Sequence, residues 1–110
     1  MKYLSIDTET TGLNSENCQI LSIAAVLEDT ENTKTPVEDL PHFHYIFRHE
    51  FIQGEPYALN MNKELIEVIK NGTDDRLTFK AHFALQFRNF LTDNNIDVKK
   101  LKLQEKFQFF

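Results

Sequence analysis

The residues best able to do chemistry lie near the N-terminus, in Asp7-Thr8-Glu9-Thr10-Thr11-Gly12-Leu13. Residues 2–7 alternate loosely and run into a Thr- and Gly-rich stretch from Thr8 to Asn14, as a strand does when it delivers its C-terminal end to a loop. Successive strand side chains point to opposite faces, so Asp7 and Glu9 share a face with Cα atoms about 6.6 Å apart. Two carboxylates so placed repel each other unless a positive charge sits between them. Hard divalent cations such as Mg²⁺ or Mn²⁺ take oxygen ligands of this kind. With two ions roughly 3.5–4 Å apart, one carboxylate can bridge both while the other binds one, an arrangement that activates water and stabilises the leaving oxygen of a phosphodiester. Thr10, Thr11 and Gly12 form a tight turn whose backbone can approach a substrate closely, because Gly carries no side chain to block it. The plain alternative is an acid-rich surface turn, since Asp-x-Glu alone has little specificity. The apolar strand before it, the phase of the two acids and the Thr-Thr-Gly-Leu continuation favour a site.

The elements that must position this stretch follow from periodicity. Gln19 to Glu28 is a nearly continuous apolar run bounded by polar residues, which reads as a central strand covered on both faces. Asp29 to Pro41 is polar and reads as a loop. His42 to Phe51 alternates, with Phe43, Tyr45 and Phe47 on one side and His42, His44, Ile46 and Arg48 on the other, a third strand nearer an edge. Strands joined without a helix between them are most simply antiparallel. Asn62 is a good N-cap for a helix over Lys63 to Asn71, with a stripe of Leu65, Ile66, Val68 and Ile69 and a stop at Asn71-Gly72. Thr78 caps a second helix whose Phe79, Phe83, Phe87 and Phe90 fall on one face and pack as core, ending near Asp93-Asn94-Asn95. Val98 to Leu103 alternates again as a fourth strand. The order is strand, strand, strand, helix, helix, strand, with no internal repeat, low-complexity tract or linker.

The stretch Tyr3-Leu4-Ser5-Ile6-Asp7-Thr8-Glu9-Thr10-Thr11-Gly12-Leu13, followed by Gln19-Ile20-Leu21-Ser22-Ile23-Ala24-Ala25, closely resembles the first motif of the DnaQ-like (DEDD) 3′–5′ exonucleases, which have an RNase H-like fold. The order of elements resembles that family's N-terminal half. The resemblance implies that Asp7 bridges two metals and Glu9 binds one, that Thr10 and Gly12 approach the terminal nucleotide, and that Leu13 packs against its base. Ala58-Leu59-Asn60-Met61-Asn62 looks loosely like the family's substrate-side turn. The family uses two further acids and a His or Tyr base. Leu103-Gln104-Glu105-Lys106-Phe107-Gln108-Phe109-Phe110 aligns as a degraded second motif, the start of a helix, and Phe110 stands just before the place of the third acid. Two ligands out of four, with no positioned base, do not hold two metals in the geometry that acidifies water. Asp74, Asp75, Asp93 and Asp97 do not substitute for the missing acids, the last two belonging to a helix end and a turn, where Asp is common.

The remaining candidates have plainer readings. His42 and His44 lack a third ligand at metal spacing and read as exposed edge histidines. His49 and His82 stand alone, His82 on the Phe-rich helix. Lys99, Lys100 and Lys102 flank a strand and keep an edge soluble. Cys18 is the single cysteine, which excludes an intrachain disulfide and a cysteine metal cluster and fits a reducing cytoplasm. No run of 18 apolar residues exists, so no membrane span is expected, and the N-terminus meets an acid at Asp7, too early for the apolar run of a signal peptide. Lys+Arg 12 against Asp+Glu 17, net charge −5, argues against holding nucleic acid by non-specific charge neutralisation, though not against meeting phosphates through metal ions.

The 110 residues at 41% hydrophobic suffice for one domain, and three of the ten phenylalanines crowd into Lys106 to Phe110, so the core reads as cut short. The expectation is therefore one truncated α/β domain over residues 1–110: an RNase H-like mixed sheet of three antiparallel strands, two helices and a fourth strand, C-terminally incomplete. Its function is that of a metal-dependent 3′–5′ exonuclease acting on single-stranded DNA or RNA 3′ ends, inactive as this short chain. The alternative is a non-catalytic nucleic-acid-binding or assembly module, a homo-oligomer or a chain whose partner covers the Phe-rich C-terminus. A phosphatase of the haloacid dehalogenase type fits poorly, because Glu9 is a methylene too long for its second acid and Thr-Thr-Gly is the wrong continuation.

Overall fold

Residues 1–97, and the backbone of residues 102–108, are described by a computed structural model. Strand β1 (Lys2–Thr10) lies inside the sheet, with β2 (Ile20–Asp29) antiparallel on one side and β5 (Lys102–Gln108) parallel on the other. β2 pairs antiparallel with β3 (His42–Phe47), and β3 pairs parallel with the two-residue β4 (Leu77–Thr78), giving the order β4-β3-β2-β1-β5. Helices α1 (Pro56–Met61), α2 (Lys63–Asn71) and α3 (Lys80–Asp93) complete the described elements. No helix among the described residues is long and apolar enough to cross a membrane.

Alternation divides the sheet into two faces. Leu4, Ala25, Leu27 and Phe43 are buried on one face, with Ile6, Ile23 and Tyr45 beside them, under Phe83, Phe87 and Phe90 of α3. Phe43 is the centre of this layer: the rings of Phe83, Phe87 and Phe90 meet it edge-on at centroid distances of 5.9, 5.9 and 5.0 Å, the arrangement that aromatic quadrupoles favour. On the other face Leu21 and Ile46 pack against Ile66 and Ile69 of α2. The α2 stripe is the expected one, and Gly72 ends the helix in the left-handed conformation at φ 69°.

The expected α/β class is observed, with several corrections of detail. Among the described residues there are three α-helices where two were expected: Pro56 at the first helical position fixes φ for a short extra helix, so part of Ala58 to Asn62 is α1 and not a turn. The third strand stops at Phe47 instead of running to Phe51; it lies near the edge as expected, with only the two-residue β4 outside it. A single 3-10 turn, Val37–Asp39, lies within the polar loop. Thr78 does not cap α3. It belongs to β4, and its hydroxyl donates to Gln86 Oε1 at 2.7 Å, leaving Phe79 at the N-cap position without a side-chain cap. Phe79 therefore drops out of the core stripe: it is 55% exposed, with the Arg48 guanidinium 5.6 Å above its ring.

The last strand is Lys102–Gln108, so Leu103 to Gln108 extend beside β1 and do not begin a helix. The rest of the expected strand, Val98 to Leu101, and Phe109 and Phe110 lie outside the described residues.

Phe43 and Phe79 should separate sharply on mutation. Phe43→Ala is expected to destabilise the fold by about 3–5 kcal/mol, and Phe79→Ala by less than about 1 kcal/mol, both read from urea unfolding midpoints.

Candidate functional site

Asp7 and Glu9 occupy the last turns of pleat in β1, opposite Ala24 and Ser22 of β2. Between Glu9 and Thr10 the register shifts: Glu9 pairs with Ser22 but Thr10 with Ile20, so Leu21 has no partner on β1. A bulge of this kind bends the strand and ends regular pairing, and here the unpaired Leu21 is fully buried in the α2 layer.

Beyond the bulge the chain is tied down from three directions. Thr11 N donates to Gln19 O at 2.9 Å while Gln19 N donates to Thr11 Oγ1 at 2.7 Å, closing the loop on itself. Glu55 N donates to Thr11 O at 2.8 Å, and Asn62 Nδ2 donates to Thr10 O and Ala58 O, each at 3.2 Å. Asn62 thus stands at the N-cap position of α2 as expected, but its side chain makes no cap bond to α2 and instead holds the site loop and the last turn of α1. The packing tolerates no side chain at two glycines. Gly12 has φ 146°, and a Cβ there would lie 2.7 Å from both Cys18 Sγ and Glu55 Cδ. A Cβ on Gly54 would fall on the Thr11 Cβ and carbonyl.

Gln19 organises the next layer. Its side-chain amide donates to Phe51 O at 3.1 Å, its Oε1 accepts from Gln53 N at 3.0 Å, and its Nε2 lies 3.4 Å from His49 Nδ1. His49 Nε2 donates to Ile20 O at 2.8 Å, so Nδ1 is the acceptor for Gln19. His49 is accordingly a brace between β2 and the segment after β3.

The residues singled out by sequence are distributed as follows. Thr10, Gly12 and Leu13 come together in the wall of a cleft of about 390 Å³, which also includes Ile20, Cys18 and Lys80 at the start of α3. Leu13 is 64% exposed, whereas Thr11 is fully buried beneath the cleft and its hydroxyl oxygen is taken by Gln19. Asp7 and Glu9 are half-buried neighbours on β1 and are not among the walls of that cleft.

Among the described residues no ion pair engages either carboxylate, while the backbone of Lys106 on β5 lies in register with Asp7. Burial, and then the charge of Asp7, push the Glu9 carboxyl above its ordinary value. Asp7 Oδ1 is buried and has no hydrogen-bond partner. Buried acceptors rarely go unpaired, and hard oxygen donors of this kind suit Mg²⁺ or Mn²⁺. No third His, Cys, Asp or Glu joins them in a metal-sized group among the described residues.

A further polar group stands on the same face, which sequence reasoning set aside. His44 of β3 lies across Ala24 from Asp7. Desolvation and the Arg76 charge lower its imidazole, while Asp74 and Asp7 oppose them. Asp74 holds Arg76 through Oδ1 to Nε at 2.9 Å and Oδ2 to Nη2 at 2.8 Å, and this bidentate pairing keeps the Asp74 carboxyl well below the usual carboxylate range. Nothing local announces the roles of Gln19, Gly54, Glu55 and His44, because each gains its role from a partner on a different element.

No protein-family model matches the chain, and no curated protein matches it. Among solved structures it is similar to cell-death related nuclease 4 (CRN-4), with a TM-score of 0.66 and 17% identity over 94% of this chain and 34% of that one. The chain thus spans about a third of the length of that nuclease. The likeness places this chain in the RNase H-like α/β class of fold.

Two outcomes check the local geometry. Gly54→Ala should destabilise by about 1–3 kcal/mol or more, since the new methyl meets backbone that cannot yield; chemical denaturation measures it. The raised Glu9 value means that the folded state binds this proton more tightly than the unfolded chain, whose reference value is 4.5. Stability from that proton is complete below the unfolded value and is lost as pH rises through the folded one. With a chelator present, Glu9→Gln should therefore raise the thermal midpoint at pH 7 and leave it unchanged at pH 3.

Proposed function

We propose that the chain carries the metal-binding half of a 3′–5′ exonuclease site, in which Asp7 and Glu9 hold divalent cations, Mg²⁺ or Mn²⁺, beside the 3′ end of a single-stranded DNA or RNA. The observation that carries this reading is the orphaned, buried Oδ1 of Asp7 next to a Glu9 carboxyl already strained by its charge. A cation there would relieve both. When bound, it supplies Lewis-acid stabilisation of charge developing on a phosphodiester and lowers the pKa of coordinated water.

The chain's own residues then have distinct tasks. Asp7 and Glu9 are the ligands. Thr10, Gly12 and Leu13, gathered in one cleft, present backbone and an exposed apolar side chain to the terminal nucleotide, with Leu13 against the base. Thr11 keeps that surface in place from beneath through its bonds to Gln19 and Glu55. The likeness to a nuclease fold is compatible with these tasks.

Turnover needs more than this. Two carboxylates with no third ligand among the described residues bind a cation weakly and position no base. The 110-residue chain by itself is accordingly expected to bind without cleaving, which leaves room for the second reading, a nucleic-acid-binding module of the same fold.

A cation at ten times its dissociation constant should raise stability by about 1.4 kcal/mol. That gain should be present in the unaltered protein and absent in Asp7→Asn, measured with Mg²⁺ and Mn²⁺ by thermal unfolding. Equal gains in both proteins would place the cation elsewhere. A 3′-end-labelled single strand incubated with the chain and Mn²⁺ should stay intact, and release of nucleotides that Asp7→Asn abolishes would overturn the expected inactivity.

A further inference from the structure

We propose that His44 is a substrate-contacting residue of this site, donating a hydrogen bond from Nε2 to a phosphate oxygen of a nucleotide bound beside Asp7. The inference rests on the metal-site reading given above. Its starting point is the sheet register: Asp7 pairs with Ala24, and Ala24 pairs with His44. Directly opposed residues of antiparallel strands project to the same face. The two Cα atoms are therefore about 9.5 Å apart, two inter-strand spacings. Ala24 contributes only a methyl group, so nothing from the row itself fills the space between the carboxylate and the imidazole.

The rows on either side differ from this one. In the Glu9 row, Ser22 is 4% exposed and Ile46 fully buried, because α2 covers that end of the face. In the Ser5 row, Ser5 is taken by Glu28 and His42 by the Leu40 carbonyl, at 2.6 and 2.7 Å. Among the described residues the Asp7 row is open on the His44 side: His44 is exposed, Ala24 is half-buried, and Asp7 Oδ1 has no hydrogen-bond partner.

His44 is also held in one chemical form. Arg76 Nη1 lies 3.4 Å from His44 Nδ1. A guanidinium can only donate, so Nδ1 is the acceptor and the ring proton is on Nε2. Arg76 is itself fixed by Asp74, whose Oδ1 also accepts from Arg76 N at 2.8 Å. The edge loop thus makes Arg76 and Asp74 positioning residues that leave His44 with a free N–H donor. A neutral donor beside a cation-binding carboxylate suits an anionic oxygen, and in a nucleotide that oxygen is on phosphate.

The test uses ring and backbone NMR of the full 110-residue chain, with thymidine 5′-monophosphate and inorganic phosphate as probes. Substoichiometric Mn²⁺ should broaden the Asp7 and Ala24 amide signals and should not do so in Asp7→Asn; failure here sinks the metal-site reading, and the His44 inference with it. In Mg²⁺, thymidine 5′-monophosphate should shift the His44 Nε2–H signal and leave that of His42 in place. His44→Ala should weaken nucleotide binding about threefold to tenfold, His44→Gln should restore most of it, and circular dichroism should be unchanged in both. With Mn²⁺ broadening intact, equal nucleotide affinity in His44→Ala, or no nucleotide binding by the unaltered chain, overturns the His44 inference alone. An equal response to inorganic phosphate overturns the assignment to a nucleotide.

Discussion

Like charge on one face of an interior strand constrains everything around it. β1 has a hydrogen-bonded neighbour on each side, so its side chains have only two directions to take. The alternation that sends Leu4 and Ile6 under α3 sends Asp7 and Glu9 to the opposite face, into a half-buried setting where water screens them poorly. Covering that face completely would strand two carboxylates in an apolar layer at a cost of several kcal/mol each. α2 covers the face only as far as the row of Glu9, Ser22 and Ile46, and the next row is left open.

The loop after β1 is built the other way, with its two ends tied to the surrounding backbone at Thr11 and Gln19. Thr11 is fully buried and uses its N–H, its carbonyl and its hydroxyl at once, joining β1 to the start of β2 and to the start of α1. Gly54 must be glycine because Thr11 fills the space a side chain would need, and Gly12 because of both its φ and its contacts with Cys18 and Glu55. Leu13, one residue further on, is exposed. An exposed apolar side chain on a loop so firmly braced can present itself to a ligand with little loss of freedom on binding.

What the chain disclosed before its structure was known, and what it did not, divides by range. Asp7 and Glu9 sharing a face, the apolar β2, and the Ile66 and Ile69 stripe of α2 were legible because each depends on neighbours within a few residues. Phe79 fits the i, i+4 spacing perfectly well and is still exposed, since spacing does not say at which residue a helix starts. α1 was hidden because six residues carry too little periodicity to outweigh a turn reading. The strand over Lys102–Gln108 was not legible because Gln104-Glu105-Lys106 breaks the alternation and the family resemblance assigned this stretch to a helix. Gln19 to Phe51, Thr11 to Glu55 and His44 to Arg76 join residues more than 30 apart in the chain, and nothing local announces them.

The partial cover of the carboxylate face makes the two acids inequivalent. Glu9 lies in the covered row, and desolvation is the larger cause of its raised value, with repulsion by Asp7 second. Asp7 lies in the open row, with a methyl floor at Ala24 and the His44 imidazole beyond it. On the proposed reading, a cation held by the pair would be reached from the side of His44, since Ser22 and Ile46 are buried on the side of Glu9. On the same reading a phosphate would cross the row of Asp7, Ala24 and His44, where the carboxylate charge would repel it without a cation and where β3 presents the His44 imidazole.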